Sequence, residues 1–372
     1  MISANRQALT RCRRVVVKVG TAVATQPDGR VALGRLGALA EQLHRLRSQG
    51  RDVLLVSSGA IGLGAAKLGL SAPTAVVDRQ ACAAAGQGAL MALYDTLLRQ
   101  LGEVGAQVLL TEEDFLHRHR YVKLHDTLDR LLQLGAIPVI NENDTVSTAE
   151  LALGHDRIFG DNDRLSALVA AGVDANLLVM LTNVDGVFTA PPGTDGARLL
   201  ADWDDETEVR FGPGSDGGRG GMEAKIAAAR VAVRAGAAVV VGSGMGPETL
   251  LRVVGGEVVG TLFAAKNPWN KRRRWLAFAT QPAGRLVVND GARRALVERN
   301  ASLLAAGVER VEGEFEAGAV VSVLTADGRE FARGLCAKRA AEARAEAAHP
   351  GNGRSRPLVH RDNVVILHVE AS

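Results

Sequence analysis

Asn141 to Asp163 reads NENDTVSTAELALGHDRIFGDND, a stretch that opens and closes on a cluster of amides and carboxylates. The apolar run Ala136–Ile140 just before it predicts a buried strand that ends at Asn141-Glu142-Asn143-Asp144. Just after it, Leu165–Ala171 reads as a helix with Asp161, Asn162 and Asp163 about its start. Either cluster alone reads as well as helix capping and polar loop. Ligands of open α/β sheets bind beyond the carboxyl ends of the strands. Two such clusters flanking one loop therefore predict a pocket for something small and charged.

Working outward, the same alternation of strand and helix repeats. Val15-Val16-Val17-Lys18-Val19 is a β-branched run interrupted by one lysine. In a buried parallel strand that lysine is costly unless it snorkels or meets an anion. Asp52–Val56 is a second strand that runs straight into Ser57-Ser58-Gly59, small residues that bring backbone amides close to a ligand. Further strands are expected at Gln107–Leu110, Asn176–Leu181, Ala237–Gly242 and Gly260–Phe263. Helices are expected at Leu33–Gln49, Asp78–Leu101 and Tyr121–Leu134, with Gly86 and Gly88 allowing the second to pack closely. Strands and helices alternating at these lengths predict a mainly parallel sheet covered on both faces. The run Gly217–Lys225 enters an alanine-rich helix at Ile226–Ala235. Its glycines, helix dipole and lysine suit a phosphate, although it matches neither a Walker loop nor a dinucleotide fingerprint.

Composition narrows the class. The chain has 372 residues, 47% of them hydrophobic, room enough for two domains. A net charge of +3 gives no reason to expect a polyanion binder. Its three cysteines, Cys12, Cys82 and Cys336, are far apart and lack zinc spacing, which suggests reduced thiols. With no apolar signal core and no run of transmembrane length, a cytoplasmic protein that does not enter a membrane is expected. Domain boundaries are expected at 1–265, a linker at 266–272, and 273–372 with short β-like runs and a helix near Ala337–Ala348. Lys271-Arg272-Arg273-Arg274, flanked by Trp269 and Trp275, is either a basic linker or an RNA contact.

Read together, VVVKVGT (Val15–Thr21), SSGAIGLG (Ser57–Gly64), PVINENDTVST (Pro138–Thr148), FGDNDRLSAL (Phe159–Leu168), LTNVDGVF (Leu181–Phe188) and GGMEAK (Gly220–Lys225) resemble the glutamate 5-kinases of the amino-acid kinase family. The motifs arrive in that family's order across nearly the whole chain. A looser likeness to a PUA domain covers about Arg273 to Ala348. The resemblance implies an open α/β kinase fold with a small, mainly β domain after it. It also implies transfer of the γ-phosphoryl of ATP, accompanied by Mg²⁺, to the side-chain carboxylate of L-glutamate.

By this resemblance Lys18, Lys225 and Asp163 are catalytic, with Asp163 holding both lysines. Ser58, Asp144 and Asn162 would bind glutamate, Asp161 and Asn143 standing behind them. Thr182, Asn183, Arg219, Gly220, Gly221, Met222, Glu223, Ala224 and Lys225 would lie along the nucleotide with Lys18. No protein metal ligand is implied. Homo-oligomers, dimeric or tetrameric, and feedback inhibition by proline also come with the family. The chain departs from the family pattern at Asn183, Arg219 and Glu223-Ala224, which leaves two alternatives open. One is an RNA-binding or regulatory protein acting through the PUA-like domain. The other is a kinase of the same family acting on a different acceptor.

Overall fold

The computed structural model describes residues 3–71, 73–116, 118–146, 161–211, 221–265, 276, 282–349 and 356–367. It divides into two compact units, Met1–Asp114 with Val122–Pro268, and Phe115–Tyr121 with Trp269–Ser372. The linker expected at 266–272 lies outside the described residues.

In the first unit, strands β1 (Arg14–Val19), β2 (Asp52–Ser57), β3 (Val104–Leu110), β4 (Ala136–Glu142), β5 (Leu177–Thr182), β6 (Ala238–Ser243) and β7 (Thr261–Phe263) form one sheet. Their order is β3-β4-β2-β1-β5-β6-β7. Every pairing is parallel except β6 with β7. The central strands β4 and β5 are buried along their whole length, and β1 and β2 at all but their first residue, as continuous apolar runs require. β2 lies on one side of β1 and β5 on the other, so the chain switches direction at β1. The carboxyl edge at that point is where an open α/β sheet holds its ligand.

The helices of this part of the chain begin with α1 (Ala4–Leu9), α2 (Thr21–Ala24), α3 (Leu33–Ser48), α4 (Ala60–Leu68) and α5 (Val76–Gln100). They continue with α6 (Glu113–Leu116), α7 (Arg118–Gln133), α8 (Asp161–Gly172), α9 (Met222–Ala235) and α10 (Thr249–Val254). Two glycines let α4 cross α5 at backbone contact. A Cβ on Gly64 would sit 1.7 Å from the Cys82 carbonyl oxygen, and one on Gly86 would sit 1.9 Å from that of Ala60. Gly88, expected to do the same, has nothing within 4 Å of the added atom and plays no such part. Arg6 is buried on α1, and its guanidinium donates to the carbonyls of Glu257, Val259 and Gly260 at 2.9–3.0 Å. That fastens the turn leading into β7 to the start of the chain.

The second unit carries β8 (Gly284–Val288), β9 (Val308–Glu312), β10 (Val320–Leu324), β11 (Glu330–Cys336) and β12 (Val359–Ile366), in the order β12-β11-β10-β8-β9. Only β8 and β10 run parallel. Helices Asp290–Arg299 and Ala340–Ala348 accompany the sheet. All three cysteines of the chain are free thiols. Among the described residues no helix is long and apolar enough to cross a membrane.

Candidate active site

The lysine that interrupts β1 is explained by its partner. Lys18 is 5% exposed, and its Nζ lies 2.6 Å from Oδ1 of Asp163 in the first turn of α8. The other oxygen of that carboxylate, Oδ2, accepts from Nζ of Lys225 at 3.1 Å. Lys225 stands in the first turn of α9, which begins at Met222, four residues earlier than the sequence suggests, because Gly221 serves as its N-cap. One buried carboxylate therefore holds two buried lysines, one on each oxygen.

The charges settle each other. Burial pushes the Asp163 carboxyl up, but the two lysines beside it outweigh burial and hold it below the usual carboxylate range. Its place at a helix N-terminus adds in the same direction. Burial pulls Lys225 below the ordinary lysine value and Lys18 adds to the pull, against the opposing attraction of Asp163. With both lysines protonated the triad carries one net positive charge in a dry setting, which favours a polyanionic ligand.

A second cluster, built of neutral groups, lies beside the first. Ser58 is buried where β2 turns into α4, a turn that Gly59 makes at φ +112°. Its Oγ accepts from Nδ2 of Asn162 at 2.9 Å. The same amide nitrogen approaches Oδ1 of Asn141 at 3.2 Å, at the end of β4. That oxygen also accepts from the Glu142 backbone N–H at 2.9 Å, while Asn141 Nδ2 donates to Oε1 of Gln87 on α5 at 2.8 Å. Asn162 Oδ1, next to Asp163 in the chain, is buried and has no partner among the described residues.

The remaining expected residues fall around these two clusters. Asn143 and Asp144 are half-buried just past β4, where the Asn143 N–H donates to the Leu110 carbonyl at 2.7 Å. Asp161 opens α8. Thr182 is buried at the end of β5 and donates to Oδ1 of the exposed Asn183 at 3.2 Å. In α9 Met222 is half-buried, Glu223 exposed and Ala224 buried. Arg219 and Gly220 lie outside the described residues. Sequence reasoning named Asn141 only as part of its cluster and passed over Gln87. It also passed over Tyr94, buried on α5 with its hydroxyl 2.8 Å from Ser57 Oγ. Both are single polar groups on a helix whose alanine-rich pattern says nothing about what lies opposite.

A carboxylate bridging two lysines at the switch point of a parallel sheet, with an amide cluster alongside, is the kind of site that moves a phosphoryl group between two anions. The amino acid kinase family matches residues 13–243, and the PUA domain matches residues 284–348. A glutamate 5-kinase of Gloeobacter violaceus is 44% identical over 371 residues, which cover 95% of this chain and 99% of that protein. One from Geobacter sp. (strain M21) is 43% identical over 377 residues, covering 97% of this chain and all of that one. A solved UMP kinase of Bacillus anthracis overlaps 69% of this chain and 97% of its own, with a TM-score of 0.45 and 16% identity, too loose a likeness to argue from. The chain belongs to the amino acid kinase family, in its glutamate 5-kinase branch, with a PUA domain following the kinase fold.

Proposed function

We propose that this chain transfers the γ-phosphoryl of ATP to the side-chain carboxylate of L-glutamate, giving L-glutamyl 5-phosphate and ADP, the first step of proline biosynthesis. The observation that carries the reading is the Lys18–Asp163–Lys225 bridge, set in a chain alike over nearly its full length to glutamate 5-kinases.

The chemistry asks little of an acid or base. A glutamate side chain, with a reference pKa of about 4.3, is already ionised at neutral pH. Its oxygen attacks the γ-phosphorus while the bond to the β-phosphate breaks, and ADP leaves. The obstacle is repulsion between two anions and the charge spread over the moving phosphoryl, which positioned cations relieve. Lys18 and Lys225 supply those cations. Both Asp163 oxygens are engaged by lysines and its carboxyl titrates low, so Asp163 aims the lysines rather than taking a proton.

Ser58, Asn162 and Asp144, with Asn143 and Asp161 behind them, form the glutamate side. Asp144 is the carboxylate suited to the substrate ammonium, and the buried Asn162 Oδ1 is a second, neutral acceptor for it. Thr182, Asn183 and the start of α9, including Gly221, Met222, Glu223 and Ala224, lie on the nucleotide side, to which the resemblance also assigns Arg219 and Gly220. Mg²⁺ would enter with ATP, held by phosphates and water, and would neutralise charge on the transferring group. Among the described residues no cluster of three or more His, Cys, Asp and Glu is arranged to cage an ion. A cytoplasmic homo-oligomer inhibited by proline belongs to the same reading, as does RNA contact through the PUA domain. The basic run Lys271–Arg274 that would serve such contact lies outside the described residues.

Hydroxylamine traps an acyl phosphate, so the test is ATP- and glutamate-dependent hydroxamate formation, with aspartate and N-acetylglutamate as competing acceptors. Product from glutamate alone supports the reading. Product from N-acetylglutamate at a comparable rate overturns the assignment of the acceptor.

A further inference from the structure

We infer that Gln87 is a positioning residue for the acceptor site, holding the amides of Asn141 and Asn162 in the orientation that leaves the Asn162 oxygen free for a substrate N–H. The inference rests on the assignment of Asn162 to the glutamate side.

One chain of hydrogen bonds joins these groups, and its polarity is fixed at one point. A backbone N–H can only donate, so the atom of Asn141 that meets the Glu142 N–H at 2.9 Å must be its oxygen. The other amide atom of Asn141 is then the nitrogen, buried in a residue only 3% exposed and in need of an acceptor. Gln87 Oε1 supplies it at 2.8 Å, reaching across from α5. Because Asn141 presents oxygen, the Asn162 atom facing it at 3.2 Å is Nδ2, which also donates to Ser58 at 2.9 Å. What remains is Asn162 Oδ1, buried and unpartnered among the described residues. A buried acceptor without a donor is costly, and a ligand that brings a donor relieves the cost.

Removing the acceptor at Gln87 leaves the Asn141 nitrogen unsatisfied. The Asn141 oxygen stays with the Glu142 N–H, but the amide then turns to satisfy its nitrogen elsewhere and loosens the 3.2 Å contact with Asn162. The orphan oxygen that distinguishes an ammonium from a methylene loses its fixed place. Gln87 therefore sets acceptor specificity without touching the substrate.

The experiment compares kcat/KM for glutamate and for glutarate, which lacks the ammonium, in wild type, Gln87→Met and Gln87→Glu. Methionine keeps the bulk and removes the acceptor, whereas glutamate keeps the acceptor. The new carboxylate repels both dicarboxylate substrates alike, and its attraction for the ammonium can only raise the preference for glutamate. The preference for glutamate over glutarate should fall about tenfold or more in Gln87→Met, as expected for misplacing a hydrogen bond to a charged group. It should persist in Gln87→Glu, with the KM for ATP unchanged in both. An unchanged preference in Gln87→Met, or an equal loss in Gln87→Glu, overturns the inference. If Gln87→Met does not fold, Gln87→Asn, too short to reach Asn141, must show the same loss of preference. A wild-type chain that makes no glutamate-dependent hydroxamate sinks the reading of the site, and this inference with it.

Discussion

The two clusters at the carboxyl edge of the sheet solve opposite problems. On one side Asp163 and two lysines are all charged, all buried and fully engaged with one another. On the other, Ser58, Asn162, Asn141 and Gln87 are neutral, and their chain of hydrogen bonds stops one short, at Asn162 Oδ1. Charges in a dry pocket must be paired before the ligand arrives, because an isolated buried ion costs several kcal/mol or more. A neutral acceptor can wait unpaired for about 1–3 kcal/mol. On the proposed reading the charged side therefore acts on the phosphoryl group, and the neutral side serves recognition.

The largest effects should come from breaking the charged side. Lys18→Ala and Lys225→Ala should each lower kcat by about a hundred- to a thousandfold, the usual cost of removing one preorganised electrostatic contact. Steady-state assay at saturating ATP and glutamate checks this, and a loss expressed only in the KM for glutamate would contradict the division of labour. Asp163→Asn should damage folding as well, since it leaves two buried ammonium groups without a counter-charge. Removing one partner of a buried ion pair costs about 3–5 kcal/mol. Denaturant unfolding measures that loss. The acid side of wild-type stability carries the same signature. A carboxyl held low in the fold contributes stability above its unfolded pKa, about 3.9, and that stability drains away as pH falls through the lower folded value.

On the neutral side the expected effect is smaller and confined to one substrate. Asn162→Ala should raise the KM for glutamate about tenfold while leaving that for ATP unchanged, because it removes a contact to a charged group rather than a charge. An equal rise in both KM values would mean that the two clusters are one.

How far the sequence reaches also divides along this line. Strands β1, β2, β4 and β5 and the start of α8 are legible because fully buried parallel strands are written as unbroken apolar runs, and polar residues at their ends stand out. Lys18 announced itself as an anomaly within such a run. Its partner could be named only by resemblance, since no local pattern links β1 to α8. In the second unit β9, VERVE, and β11, EFARGLC, were passed over. They are short, partly exposed strands of a mainly antiparallel sheet, and their charged residues mask the period-two signal. Gln87 was illegible for another reason. It is one polar residue in an alanine-rich helix, and its meaning lies in where β4 ends.

The finest test of the comparison is a titration, because only the charged side should respond to alkali. Lys225 sits below the ordinary lysine value of 10.5 in the free enzyme, through burial first and the repulsion of Lys18 second. As pH rises through that lowered value Lys225 loses its proton, and with it a cation facing the phosphates. The profile of kcat/KM for ATP should therefore fall on an alkaline limb that begins earlier than an ordinary lysine would allow. Bound triphosphate favours the protonated form, so the corresponding limb in kcat should lie at higher pH. Lys225→Arg should abolish the limb within the measurable range, whatever it does to the rate, because guanidinium stays charged above a pH of about 12. Gln87→Met leaves the lysines as they are and should leave the limb in place. A limb that moves in Gln87→Met but persists in Lys225→Arg would not belong to Lys225 and would erase the distinction between the two sides.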